Sequence, residues 1–210
     1  MVDLYEQPNI TDISPMQSLV YLQSLELNNC PNIDDWSVLS SFINLESLNV
    51  RECGDLTNFD LSNHEKLRSL TLSLGNNLRD GRRIFNADDN EYNIEIINEI
   101  KKAVYLESLA IEGDYVEIKD LSFIQALPEL RYLELEGVTI SPNVYKGIRG
   151  HPKLEEVKFA CMSYRNPSSD IDSDSDDDME EDSLKGWKVI TKMSDMIHVD
   201  EGYYNYLVRK

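Results

Sequence analysis

One hexapeptide spacing returns six times in this chain: an apolar residue, two of any kind, a second apolar residue, one of any kind, and a third apolar residue. Its clearest copy is Leu130-Arg131-Tyr132-Leu133-Glu134-Leu135. The others are Leu22/Leu25/Leu27, Leu45/Leu48/Val50, Leu67/Leu70/Leu72, Leu106/Leu109/Ile111 and Leu154/Val157/Phe159. Successive copies begin 23, 22, 39, 24 and 24 residues apart. A step in the twenties is too short for a unit to enclose its own core. Each unit must bury its apolar side against the next, and the result is a stacked solenoid.

This spacing resembles that of the leucine-rich repeat family over roughly residues 16 to 162. Proline two residues before the first leucine, as in Pro128-Glu129-Leu130 and Pro152-Lys153-Leu154, is a common form of that repeat. The resemblance implies an α/β solenoid: a parallel concave sheet of about six to seven strands, short helices or turns on the convex side, and a cap at each end. It also implies that the leucines point into the core and the residues between them line the concave face. Those residues form two columns. Glu26, Asn49, Thr71, Ala110, Glu134 and Lys158 make one, and Asn28, Arg51, Ser73, Glu112, Glu136 and Ala160 the other.

Around the repeats the chain divides into four expected parts. Residues 1–18, with Pro8, Pro15 and scattered apolar groups, form an N-terminal cap, and residues 19–165 carry the repeats. Residues 166–183 are an acidic disordered loop, because a run such as Asp174-Ser175-Asp176-Asp177-Asp178 has no apolar surface to bury. Residues 184–210 form a C-terminal cap that covers the last apolar edge. There Trp187, Val189 and Ile190 add a strand, while Ile197-His198-Val199 and Tyr203–Leu207 flank Asp200-Glu201-Gly202 as a hairpin.

Between repeats, Trp36, Leu39 and Phe42 mark a short helix capped by Asp34 or Asp35. Leu56, Phe59 and Leu61 lack a helical period. Leu121, Ile124 and Leu127 follow Asp120 as cap, and Ser141-Pro142 opens a helix that Gly150 ends. The third repeat holds the 39-residue step. Ile94, Ile97 and Ile100 there predict a helix from about residue 91 to 104, with Asn90 as cap. The surplus falls at about residues 75–89 and contains Arg79, Arg82 and Arg83, the one concentration of positive charge in the repeats. A loop inserted into a rigid scaffold is a possible loop site for binding.

The formal charge is −19, with 39 acidic against 20 basic residues. Such a field repels nucleic acid and anionic membranes and draws basic proteins. No apolar run reaches the roughly 20 residues that a membrane span needs, and the N-terminus lacks a secretory pattern, so an intracellular chain, cytoplasmic or nuclear, is expected. The Asn9-Ile10-Thr11 sequon is therefore discounted. Three cysteines show no metal spacing. Cys30 and Cys53 lie three residues after the third apolar strand position, where the family turns a side chain inward toward loop backbone. No nucleophile elbow, phosphate loop, zinc spacing or complete calcium loop is found, so the reading is not an enzyme and requires no cofactor, metal or small-molecule substrate.

The function these residues suggest is a protein-interaction scaffold or adaptor. Tyr132 amid Glu112, Glu134 and Glu136, with Arg51 and Glu26 on the same face, offers stacking and charge to a basic protein partner. Two other expectations come from resemblance. Repeats with a cysteine after the strand, such as Asn28-Asn29-Cys30, are similar to those of F-box repeat proteins and imply the substrate-recognition subunit of a ubiquitin-ligase-type complex. Repeats beside an acidic run look like the acidic nuclear repeat phosphoproteins that chaperone histones. Ser169, Ser173 and Ser175, each with an acid three residues later, fit phosphorylation by an acidophilic kinase.

Overall fold

A computed structural model of the chain describes residues 1–54, 56, 58–73, 78–79, 82–83, 96–113, 117–118, 121–137, 139–140, 147–148, 150–160, 187–193 and 203–209. Its strands are β1 (Val2–Tyr5), β2 (Ser24–Asn28), β3 (Ser47–Arg51), β4 (Ser69–Ser73), β5 (Leu78–Arg79), β6 (Arg82–Arg83) and β7 (Ser108–Glu112). After these come β8 (Glu117–Ile118), β9 (Tyr132–Glu136), β10 (Thr139–Ile140), β11 (Glu156–Ala160), β12 (Trp187–Met193) and β13 (Tyr203–Arg209). The main sheet has nine strands in the order β1-β2-β3-β4-β7-β9-β11-β13-β12. The first seven run parallel, and β13 and β12 are antiparallel.

Register is set by the leucines. Leu25, Leu48, Leu70, Leu109, Leu133 and Val157 stand opposite one another with no offset, and Leu27, Val50, Leu72, Ile111, Leu135 and Phe159 form the next row. All twelve are buried. A slip of one residue would turn both rows to solvent, so burial fixes the pairing. Where strands begin, one carbonyl serves two amides: Glu46 and Ser47 both donate to Gln23 O, and Arg68 and Ser69 to Glu46 O. The pattern continues through Arg68, Glu107 and Arg131 as acceptors. Strands leave through left-handed residues, Asn29 at φ 54°, Glu52 at φ 48° and Gly137 at φ 69°.

Three of the segments outside the sheet are tighter than α-helices. Trp36, Leu39 and Phe42 are all buried, and a step of three residues matches a 3-10 turn better than the 3.6 of an α-helix. The structure forms 3-10 turns at Ser14–Ser18, Ser37–Ser41 and Ser122–Ala126. Asp35 Oδ1 accepts the Ser37 amide at 3.0 Å, so Asp35 opens the second of these. Asp12 accepts from Ser14 at 2.7 Å and Asp60 from Ser62 at 2.9 Å in the same way. An Asp, an apolar residue and a Ser thus recur on the side opposite the sheet. Gly54 owes its identity to this stacking, since a Cβ there would lie 2.6 Å from Ile33 O and 2.7 Å from Pro31 O.

Several expectations are corrected. In the third repeat a helical turn covers residues 96–100, and it buries Ile96 and Ile100 while Ile97 is only partly covered. Among the described residues the inward stripe is Ile96/Ile100/Ala103, and Ile97, expected on it, is only partly covered; Asn90, Ile94 and the rest of residues 90–95 lie outside the described set. A four-residue step and a following turn at 101–102 bring Ala103 beneath Leu106. At the C-terminal end, Tyr203–Arg209 pairs with Trp187–Met193, and it is Tyr203–Arg209 that joins β11. The expected strand Ile197–Val199 lies outside the described set, as do the other residues of 194–202. The acidic run at 166–183, Asp120 and residues 141–146 lie outside it too.

Candidate functional site

The open face of the sheet is built from the strand positions between buried leucines. Three columns run across it in register. Ser24, Ser47, Ser69, Ser108, Tyr132 and Glu156 form the first. Asp3 leads into Glu26, Asn49, Thr71, Ala110, Glu134 and Lys158, and Asn28 stands beside Arg51, and Ser73 beside Glu112, Glu136 and Ala160. Four serines in a row followed by Tyr132 make Tyr132 a step in the surface, and the residue is 47% exposed.

Charges on this face are organised more than the columns alone suggest. Arg51 on β3 reaches across β4 to Glu112 on β7, with Nε at 2.8 Å and 3.0 Å from the two carboxylate oxygens and a terminal nitrogen at 2.7 Å. Two strand spacings are about 9.6 Å, and the pair closes over Ser73 because serine is short. Glu112 nonetheless titrates above the ordinary glutamate value. Partial burial is the main cause, Arg51 opposes it, and the carboxylates of Glu136 and Glu134 add to it. Glu134 is bound by Lys158, and Glu26 accepts from Asn49 Nδ2 at 3.1 Å. Glu136 is exposed four residues beyond Tyr132 on β9, and among the described residues no ion pair engages it.

The structure therefore brings Tyr132, Glu134, Glu136 and Glu112 together at the same end of the face, joins Arg51 to them through Glu112, and leaves Glu26 apart on β2. Arg79 is the register partner of Arg82 in the two-residue pairing of β5 with β6, and Arg83 that of Leu78. Ser169, Ser173 and Ser175 lie outside the described residues. The Arg51–Glu112 bridge was hidden from the sequence because its partners are 61 residues apart. The signal was present: both occupy the same repeat position, two strands apart.

No family model matches the chain, and no curated protein is significantly similar to it. Among solved structures, an internalin C2 of Listeria monocytogenes superposes with a TM-score of 0.52 at 20% identity, over 75% of this chain and 59% of that one. A second internalin of the same organism (inlF) gives 0.39 at 23% identity, over 72% and 40%. The fold is a leucine-rich repeat solenoid. The chain spans 59% of the internalin C2 structure, and the likeness is one of fold.

Within the repeats, Cys30 and Cys53 point at backbone carbonyls, Cys53 Sγ lying 3.2 Å from Arg51 O and 3.5 Å from Leu27 O. Burial pushes the Cys53 thiol up to about 12. It is a packing residue at neutral pH. His64 and His151 share the repeat position of Phe42 and Leu127 and are as deeply buried. His64 Nε2 meets Leu39 O at 3.0 Å; His151 Nε2 meets Leu127 O at 3.1 Å while its Nδ1 accepts the Leu154 amide at 3.0 Å. Among the described residues no group of three His, Cys, Asp or Glu is placed to hold a metal ion, and no helix is long and apolar enough to cross a membrane.

Proposed function

We propose that this chain is a non-catalytic interaction scaffold whose open sheet face binds a protein partner through a basic segment. The observation that carries this reading is Tyr132, half exposed at the end of a column of serines, with the exposed carboxylate of Glu136 at the other end of the same strand, about 13 Å away. An extended basic segment lying across the strands meets small side chains over β2 to β7 and a raised aromatic with acid at β9. One guanidinium of the segment stacks on the ring and a second cation pairs with the carboxylate. The Arg51–Glu112 and Glu134–Lys158 pairs hold the other charges in place, so the site is shaped before a partner arrives. Burial of His64 and His151 against backbone carbonyls also speaks for a binding surface over a catalytic one.

Calorimetric titration with a short arginine-rich peptide tests this. Binding should weaken about tenfold for Tyr132→Ala and for Glu136→Lys, which corresponds to about 1.4 kcal/mol. A peptide with glutamate in place of arginine should not bind. Equal affinity of the parent and both variants for the basic peptide would remove the open face as the site.

A further inference from the structure

The turns that precede the strands assemble a second surface, at one end of the strands and distinct from the open face. Among the described residues nine large apolar side chains are exposed, and six lie here: Leu19, Val20, Tyr21, Ile43, Val104 and Tyr105, with Tyr21 at 86%. With Ser24, Ser47, Ser69 and Ser108 in register, the turns align too. Val20, Ile43, Glu65 and Val104 then share one position, and Tyr21, Asn44, Lys66 and Tyr105 share the next. Gln23, Glu46, Arg68 and Glu107 share a third. Three carboxylates stand against two cations, so this edge is near neutral on a chain of charge −19.

The order of these residues is self-complementary. Rotation by a two-fold axis passing between β3 and β4 sets Tyr21 against Tyr105 of a second copy and Val20 against Val104. It also sets Asn44 against Lys66, Gln23 against Glu107, and Glu46 against Arg68. Apolar meets apolar and each charge meets an opposite charge or an amide; Ile43, which faces Glu65, and Leu19, whose counterpart Ala103 is buried, depart from the match. Arg68 now lies 3.7 Å from Glu107 and 5.4 Å over the Tyr105 ring, an exposed arrangement that a stronger partner can replace. We infer that this edge is an isologous interface at which a second copy of the chain docks about that axis. A two-fold interface presents the same patch twice, so each match counts twice. The near-neutral charge removes local repulsion that the rest of the surface would impose.

Sedimentation velocity of the intact chain over a range of concentrations, at about 0.15 M salt, tests the inference. The expected result is a monomer–dimer equilibrium. Tyr21→Glu should abolish it, as should Tyr105→Glu, and thermal melts check that each variant is folded. Glu46→Arg alone and Arg68→Glu alone should each weaken the dimer at least about tenfold, because two attractive pairs become repulsive. An equimolar mixture of these two charge variants should regain the dimer, since only between unlike copies is each cation then opposite a carboxylate. A chain that stays monomeric throughout, a dimer that tolerates Tyr21→Glu, or a mixture no better than its components would overturn it. Binding of the arginine-rich peptide is expected to be unchanged in the charge variants, which separates this surface from the open face.

Discussion

His64 and His151 show how a repeat position decides the chemistry of a side chain. Both stand where Phe42 and Leu127 stand, three residues before the repeat's first leucine, and burial holds both imidazoles below the ordinary histidine value. Carbonyl hydrogen bonds oppose that shift without cancelling it. Above pH of about 6.5 the rings are neutral in folded and unfolded chains alike, and their full contribution is present. As pH falls below that value the unfolded chain takes up protons that the folded one refuses, so stability declines down to the folded values. The urea midpoint should therefore fall between about pH 7.5 and 5.5. Doubly replaced His64→Leu/His151→Leu protein should lose most of that slope, whatever its absolute stability, and an unchanged slope would place the titration elsewhere.

Strands carry the next level of organisation, because β3, β4 and β7 are held together by a side-chain bridge as well as by their ladders. Arg51→Ala leaves Glu112 half-buried without its cation, and Glu112 already titrates above the usual range. The bridge is partly solvent-screened, so the cost is about 1 kcal/mol at neutral pH. It should shrink as pH falls through the raised Glu112 value, where a protonated carboxyl no longer needs the cation. Denaturant curves of parent and variant at pH 7 and pH 4 measure this. A difference that stays constant with pH would mean that Arg51 acts through packing. At the same scale, spacing revealed the 3-10 turns only as short helices. The three-residue step at Trp36/Leu39/Phe42 was the usable clue, and the four-residue step from Ile96 to Ile100 was obscured by Ile94 and Ile97 at competing positions.

Across the whole molecule the core is a stack with each repeat touching its neighbours, and stability is nearest-neighbour in kind. Leu109 is fully buried between β4 and β9, near the middle of the sheet. Leu109→Ala should lower unfolding stability by about 3 kcal/mol, read from chemical denaturation. A loss well under half of that would mean that the stack closes around the gap. Both ends of the sheet are strands that the hexapeptide spacing does not mark. Val2–Tyr5 pairs with β2 although no leucine triplet announces it, and the antiparallel hairpin of β12 and β13 follows β11.

By itself, the sequence determined the repeat unit, the inward direction of its leucines, the composition of two of the three columns on the open face and the inward setting of Cys30 and Cys53. All of these depend on residues close together in the chain or on a period that repeats without interruption. The Arg51–Glu112 bridge, the Glu134–Lys158 pair, the choice of β13 as the strand next to β11, and the alignment of Tyr21, Glu46, Arg68 and Tyr105 along one edge came only with the tertiary structure. Each depends on which repeats become neighbours and at what register. That is settled by burial of the leucine rows over the whole stack, because only the common register hides every row from water at once.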